Sequence, residues 1–417
     1  MANSATEGEA RIHGFMVQPI LGYGATNEAR FSSQGEYDRW VKSMADVGAE
    51  MLFYQWVTHF HQGQYWFSDV HVGSPDADFA FYNPTPLTLN GIPTRGWSSP
   101  STSTWPGVPA QEGGKEPVAY LLDAAEKAGI KVWLGLYLNE GTGDFLRYNW
   151  WEAIDDENGT LRQADKDAIK HNVDRSVAVV KDIAGQFGTH PALGGIYYSV
   201  EITNQPAFIK NHAYLAEEII NPVAKAVHAE LPGKKLAISP FFNTKLASAE
   251  EFGKMWEYVL KNSELDILIL QDGVGVEPHT LTQNNDLISE YFQAVQKAAK
   301  AAGKPLWGNA ELFTSLGDRD DPQRIPSTID RVRRQLETET PYVDKFVCFD
   351  FHYMDPNPRY TFPQKEQPSE CDSSKLSGCN LPTALGCDPS TDAAMRRRLY
   401  DDYKAYWDEW QRNHPVK

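Results

Sequence analysis

The sequence predicts an α/β protein built as one (β/α)8 TIM barrel. Three observations carry that expectation. Apolar strand-like runs alternate with helical patterns eight times, the runs are apolar on both faces, and polar or acidic residues gather where the runs stop. An open doubly wound sheet shares the alternation. However, no Gly-x-Gly-x-x-Gly follows the first run and no Walker-type loop occurs, so its nucleotide-binding forms lose support.

In order, the first run is His13–Pro19, followed by a helix over 36–47 that Gly48 closes. Strand two is Glu50–Trp56. A segment over 58–116, rich in Pro, Gly, Ser and Trp, reads as one long irregular loop, and loops of that length inside a domain are commonly functional. A helix over 117–129 leads to strand three, 130–139. Ile169, Val173, Val177, Val180 and Ile183 recur at the helical period within 165–187, and strand four then runs to Glu201. The remaining pairs are a helix over 206–230 with strand five to Pro240, a helix over 248–262 with strand six to Asp272, and a helix over 286–302 with strand seven to Glu311. A helix near 326–339 precedes strand eight, 345–352. A loop with Cys371, Cys379 and Cys387 leads to the last helix, 393–411. Residues 1–12 are expected to be a disordered or expression-derived lead, and 13–417 the barrel.

The bulk figures remove some partners. With 56 acidic against 39 basic residues, a net charge of −17 and no basic run, nucleic acid and anionic lipid surfaces are disfavoured. No apolar run is long enough to span a bilayer, so no membrane insertion is expected. A secreted or periplasmic location with a removed signal peptide fits a loop stapled by a disulfide between two of its three cysteines, the pairing left open; Cys348, inside an apolar run, reads as a buried hydrophobe. His59, His61 and His71 lack the companion ligands of a metal site, and no Gly-x-Ser-x-Gly elbow occurs. No cofactor is implied.

Active residues of a (β/α)8 barrel sit at the C-terminal ends of its strands. Here those ends supply Gln18, Tyr54, Trp56, Tyr137, Asn139, Tyr198, Asn204, Gln271, Asp272, Asn309, His352 and Tyr353, all expected to bind substrate, together with Glu201 and Glu311. Two carboxyls facing across a barrel mouth are the equipment for cutting a glycosidic bond, one protonated to release the leaving oxygen and the other ionised. Glu201 follows Tyr197, Tyr198 and Val200, which suits an acid with a raised pKa. Glu311 follows Asn309 in a more polar run, which suits the nucleophile. Tyr54, Trp56, Trp66, Trp97, Trp105, Tyr137, Trp150, Trp151 and Trp307 supply flat rings that suit sugar faces. The expected partner is a carbohydrate.

The runs Gly194-Gly-Ile-Tyr-Tyr-Ser-Val-Glu201-Ile and Leu306-Trp-Gly-Asn-Ala-Glu311-Leu-Phe, with Gly14-Phe-Met-Val-Gln18, resemble a bacterial barrel family catalogued as a domain of unknown function. In layout the chain resembles the clan of retaining (β/α)8 glycoside hydrolases. That resemblance implies an acid/base at Glu201, after strand four, and a nucleophile at Glu311, after strand seven. One position departs from the clan: Val200 stands where it carries Asn before the acid/base. The rival expectations are a non-catalytic glycan-binding barrel, an inverting hydrolase using Asp272, and a metal-dependent barrel hydrolase.

Overall fold

The computed structural model describes residues 9–18, 33–61, 77–80, 82–85, 88–89, 92–95, 116–140, 159–276, 285–315, 324–357 and 389–414. Its strands, in chain order, are β1 (Ile12–Val17), β2 (Met51–Tyr54), β3 (Thr58–His61), β4 (Ala77–Ala80), β5 (Thr88–Leu89), β6 (Ile92–Arg95), β7 (Lys131–Gly135) and β8 (Tyr137–Glu140). They continue with β9 (Leu193–Tyr198), β10 (Lys235–Ile238), β11 (Ile267–Gln271), β12 (Leu306–Glu311), β13 (Phe313–Ser315), β14 (Arg324–Pro326) and β15 (Lys345–Phe349). Eight of them close a parallel barrel in the order β1-β15-β12-β11-β10-β9-β7-β2. The protein is therefore an α/β TIM barrel.

Alternation along the strands sorts the core into two sets. Met16, Met51, Phe53, Trp133, Tyr197, Ala237, Ile267, Ile269, Trp307 and Val347 form one cluster, the filling of the barrel. Phe53 stacks on Trp133 with ring centroids 5.3 Å apart, and Trp307 stands edge-on to both rings. The residues between them in sequence pack outward against the helices as a larger core. This parity decides which strand-end side chains can reach the mouth.

Sequence signals placed the helix ends. Gly129, at φ 72°, closes the helix Pro117–Ala128. Ser248 accepts from the Glu251 amide at 3.3 Å, and the Glu251 carboxylate accepts in return from the Ser248 amide. The last helix, Pro389–Asn413, clasps the start of the barrel. The Tyr403 hydroxyl accepts from the Ile12 amide at 2.7 Å, and the Tyr400 hydroxyl donates to the Ser43 carbonyl at 3.0 Å.

Three expectations need correction. Strand three breaks at Leu136, whose amide turns to the Tyr197 carbonyl and the Ser199 hydroxyl, so β8 leaves the barrel. The stretch 58–116 is not one irregular loop. It contributes β3 to β6, which with β8 form a separate sheet in the order β5-β6-β4-β3-β8; strands of two to four residues are too short for an alternation to register. The helix expected over 206–230 is divided, with a π-helical turn over Leu215–Ile220 just before Pro222, which has no amide hydrogen to continue an α ladder. Trp66, Trp97, Trp105, Trp150, Trp151, Cys371, Cys379 and Cys387 lie outside the described residues. No helix among the described residues is long and apolar enough to cross a membrane.

Candidate active site

Glu201 lies just beyond β9 and Glu311 ends β12, three strands away around the ring. Parity turns Glu311 inward, in step with Trp307 and Asn309, and it is 6 % exposed. Its Oε2 accepts from the backbone amides of Gly275, at 2.6 Å, and Val276, at 3.1 Å. That approach needs glycine at 275, because a Cβ there would fall 2.6 Å from the Phe313 carbonyl and 2.8 Å from Oε2 itself. The amide pair is a ready-made seat for a carboxylate. Burial and the neighbouring Asp272 nevertheless push Glu311 up to about 7, against Arg324, the Val276 amide and Arg331, which pull it down.

Glu201 has fewer donors. Burial raises its pKa, opposed by the Gln271 amide at 3.2 Å from Oε1 and by the charge of Arg324. Gln271 also donates to the Ser239 carbonyl at 2.8 Å, and the Ser239 hydroxyl accepts from Asn309 Nδ2 at 3.1 Å. A polar belt thus runs from Glu201 through Gln271 and Ser239 to Asn309, beside Glu311, and Arg324 acts on both acids. The expected contrast between the two is not in the direction of their pKa shifts, since both are raised. It lies in donor number, two backbone amides against one side-chain amide. Glu311 does have the more polar surroundings, but Asp272 is among them and raises its pKa.

Of the other expected residues, Gln18 shares the inward parity of Met16 at the end of β1 and is 8 % exposed. His352 pairs with Asp350 and both are buried. Asn139 lies in β8, opposite Phe60 of β3, and its side chain is outside the described set. Several belong elsewhere. Tyr54 and Trp56 pack into the outer core, one residue out of step with inward Phe53 and on either side of Gln55. Tyr198 also points outward, where its hydroxyl donates to Asn172 Oδ1 at 3.3 Å. Tyr137 lies beneath the Arg175 guanidinium, 5.5 Å from its ring. Tyr353 is buried against Phe313 and His352. Trp307, expected among the sugar-stacking rings, fills the barrel.

Asn204 is fully buried and clamps the segment after β10. Its Nδ2 donates to the carbonyls of Asn243 and Ala247, at 2.9 and 2.7 Å, and its Oδ1 accepts from the Asn243 amide at 2.9 Å. Asp272 is also out of reach of the mouth. It follows inward Gln271, so it points toward the helix Ile329–Glu339, where Gln335 Nε2 donates to its Oδ2 at 2.5 Å. Neither residue is placed to touch a sugar, and Asp272 is not placed to serve as an inverting base.

Sequence reasoning did not select Gln55, Tyr197 or Ser239 as site residues, although all three stand at or beside strand ends, and it missed Arg324 altogether. The first three were legible by counting parity from Phe53, by noting that Tyr197 rather than Tyr198 faces in, and by the step from Ala237 to Ser239. Arg324 had no such signal, because the β13–β14 hairpin returns it to the mouth; its guanidinium lies 4.4 Å from the Phe313 ring.

Similar folds occur among solved structures. A putative α-L-fucosidase from Bacteroides thetaiotaomicron superposes with a TM-score of 0.59 at 18 % identity, covering 95 % of each chain. An endo-β-1,4-mannanase from Thermotoga petrophila gives 0.46 at 13 %, covering 96 % of this chain and 78 % of that one. An α-L-fucosidase from Lactobacillus casei gives 0.42 at 12 %, covering 96 % and 97 %. The first of these shares the (β/α)8 barrel fold of this chain. No curated protein sequence matches. Residues 14–361 match the family described as "Domain of unknown function (DUF4434)", and the chain belongs to that family.

Proposed function

We propose that this chain is a glycosidase that cleaves an oligosaccharide or polysaccharide by retaining double displacement. The observation that carries the reading is the pair of inward acids with unequal donors on one polar belt. Glu311, seated on two backbone amides, is the nucleophile; Glu201, half-buried and with a single amide donor, is the acid/base. In the first step a Glu311 oxygen bonds to the anomeric carbon while the Glu201 proton goes to the leaving oxygen. In the second, Glu201 takes a proton from water, the water oxygen bonds to the anomeric carbon, and the Glu311 ester breaks. Gln18, Gln55, Gln271 and Asn309 supply hydrogen bonds to sugar hydroxyls. A secreted or periplasmic setting suits such a substrate.

The test is turnover of a panel of 4-nitrophenyl glycosides, with release of reducing ends from neutral polysaccharides, followed by azide rescue of two variants. Azide should restore Glu201→Ala with a glycosyl azide of retained configuration and Glu311→Ala with one of inverted configuration. Sugar binding without turnover across the panel would favour the glycan-binding barrel, for which Val200 in place of Asn is the sequence argument.

A further inference from the structure

Behind Glu311, between the strands and the helix Ile329–Glu339, lies a second group of buried polar side chains that the proposed chemistry does not touch. Asp272 Oδ1 accepts from the Val274 amide at 3.0 Å and the Glu311 amide at 3.3 Å, while Oδ2 accepts from Gln335. Gln335 Nε2 also reaches the Glu311 carbonyl at 3.2 Å, which Arg331 Nη2 holds at 2.9 Å. The backbone amide and carbonyl of Glu311 are therefore both fixed from this side. The carboxyl of Glu339 lies in hydrogen-bonding range of Asp272. It is 0 % exposed, and neither of its oxygens receives a hydrogen bond among the described residues. Gly308 admits it close to β12, since a Cβ there would sit 3.1 Å from Glu339 Oε2.

A buried carboxylate that receives no donor is costly, and two charged carboxylates in contact are costlier. Asp272 receives three donors and Glu339 receives none. The arrangement that satisfies both is an ionised Asp272 with Glu339 protonated and donating to it. We propose that Asp272 and Glu339 hold one proton between them and act as the positioning pair of Glu311, Asp272 fixing the backbone that aims it and Glu339 keeping Asp272 supplied with a donor. The charged or titratable groups facing the pair are Arg331 on the helix, Glu311 on β12 and the buried Cys348 thiol on β15, with Gln335 as the neutral splint. The positioning role rests on Glu311 being the nucleophile; the shared proton does not.

The first measurement is infrared difference spectroscopy on the full chain at pH 8, with 13C-carboxyl glutamate labelling to follow the Glu311 titration by NMR. The wild type should retain a protonated-carboxyl C=O stretch that Glu339→Gln abolishes. Asp272→Asn, which removes a negative charge beside Glu311, should lower the Glu311 midpoint by roughly one pH unit or more. A wild type with no protonated carboxyl at pH 8, a Glu339→Gln spectrum that loses no band in the protonated-carboxyl region relative to the wild type, or an unmoved Glu311 midpoint would overturn the proposal. The infrared comparison needs only the isosteric glutamine variant, so it stands even where Asp272→Asn does not fold. On a glycoside that the wild type turns over, Glu339→Ala should lower kcat with KM held, and Glu339→Gln, which keeps a donor, should restore most of it. Equal loss in both variants would overturn the positioning role. If no glycoside is turned over, the function reading fails while the protonated carboxyl is still detected, so the two failures are told apart.

Discussion

Glu311 and Glu201 are both acids that burial pushes upward, yet their surroundings favour different charge states. Two backbone amides on one Glu311 oxygen favour an anion there, and the neighbouring Asp272 keeps that anion from being too stable. The linkage to stability follows directly. An acid held at about 7 binds its proton more tightly folded than unfolded, where its usual value is 4.5. Below 4.5 the group costs the fold nothing; the cost grows as pH rises and is complete above 7. Glu311→Gln keeps an oxygen for the two amides and removes the charge. It should therefore melt higher than the wild type at pH 8, with the gap closing toward pH 4.5, while turnover falls roughly a hundredfold to ten-thousandfold. Thermal melts across that range check the first part; a variant that melts lower than the wild type at pH 8 would sink it. Glu201→Gln should lose activity on a similar scale, least for substrates with good leaving groups, because proton donation matters least there.

At the scale of elements, loop clamps behind the strand ends decide how well the acids are aimed. Asn204→Ala strips two donors and an acceptor from the segment 243–247, leaving the Asn243 amide and two carbonyls to find other partners. A loss of about 1–3 kcal/mol is expected for a buried polar group left unpaired, measurable by urea unfolding, with KM for any substrate held. Gly275→Ala should lower both stability and kcat, since the added carbon meets the Phe313 carbonyl as well as Glu311 itself. These elements also show what a linear reading can reach. Eight apolar runs and the acids at their ends were legible because a buried parallel strand is a continuous apolar word with a polar stop, and Glu311 sits at the end of an unbroken one. Tyr54, Tyr198 and Asp272 were misplaced because a one-residue difference in parity moves a side chain to the other face of the sheet. Asn204 was misplaced for another reason: an amide beside a catalytic strand end binds a neighbouring loop as readily as a sugar. Arg324 was illegible, since only the hairpin that returns it to the mouth gives it a role.

Over the whole molecule, the buried acids set how stability should vary with pH, against groups that act the other way. As pH falls from 8, Glu311, at about 7, and Asp355, which burial raises to about 6 despite the Asn357 amide, take up protons that the unfolded chain would bind only at lower pH. Stability should therefore rise on that limb. His13 opposes it. Burial and the Arg11 charge hold His13 down at about 4, so from its usual 6.5 downward the unfolded chain takes up a proton that the folded chain refuses. Glu50 adds a loss at lower pH still. Burial raises it, but hydrogen bonds from Arg11 and Lys345 outweigh that and hold it at about 2, so its stabilisation fades as pH drops below 4.5. Two raised carboxyls outweigh the one depressed histidine, so together these place the thermal optimum at an acidic pH, roughly 4.5, with a fall toward both sides. Melting scans from pH 3.5 to 9 on the wild type and Glu311→Gln separate the contributions. The substitution should flatten the alkaline limb and leave the acidic one in place. A wild-type optimum at pH 8, or an alkaline limb that survives the substitution, would mean that Glu311 is not the buried charge that limits this barrel.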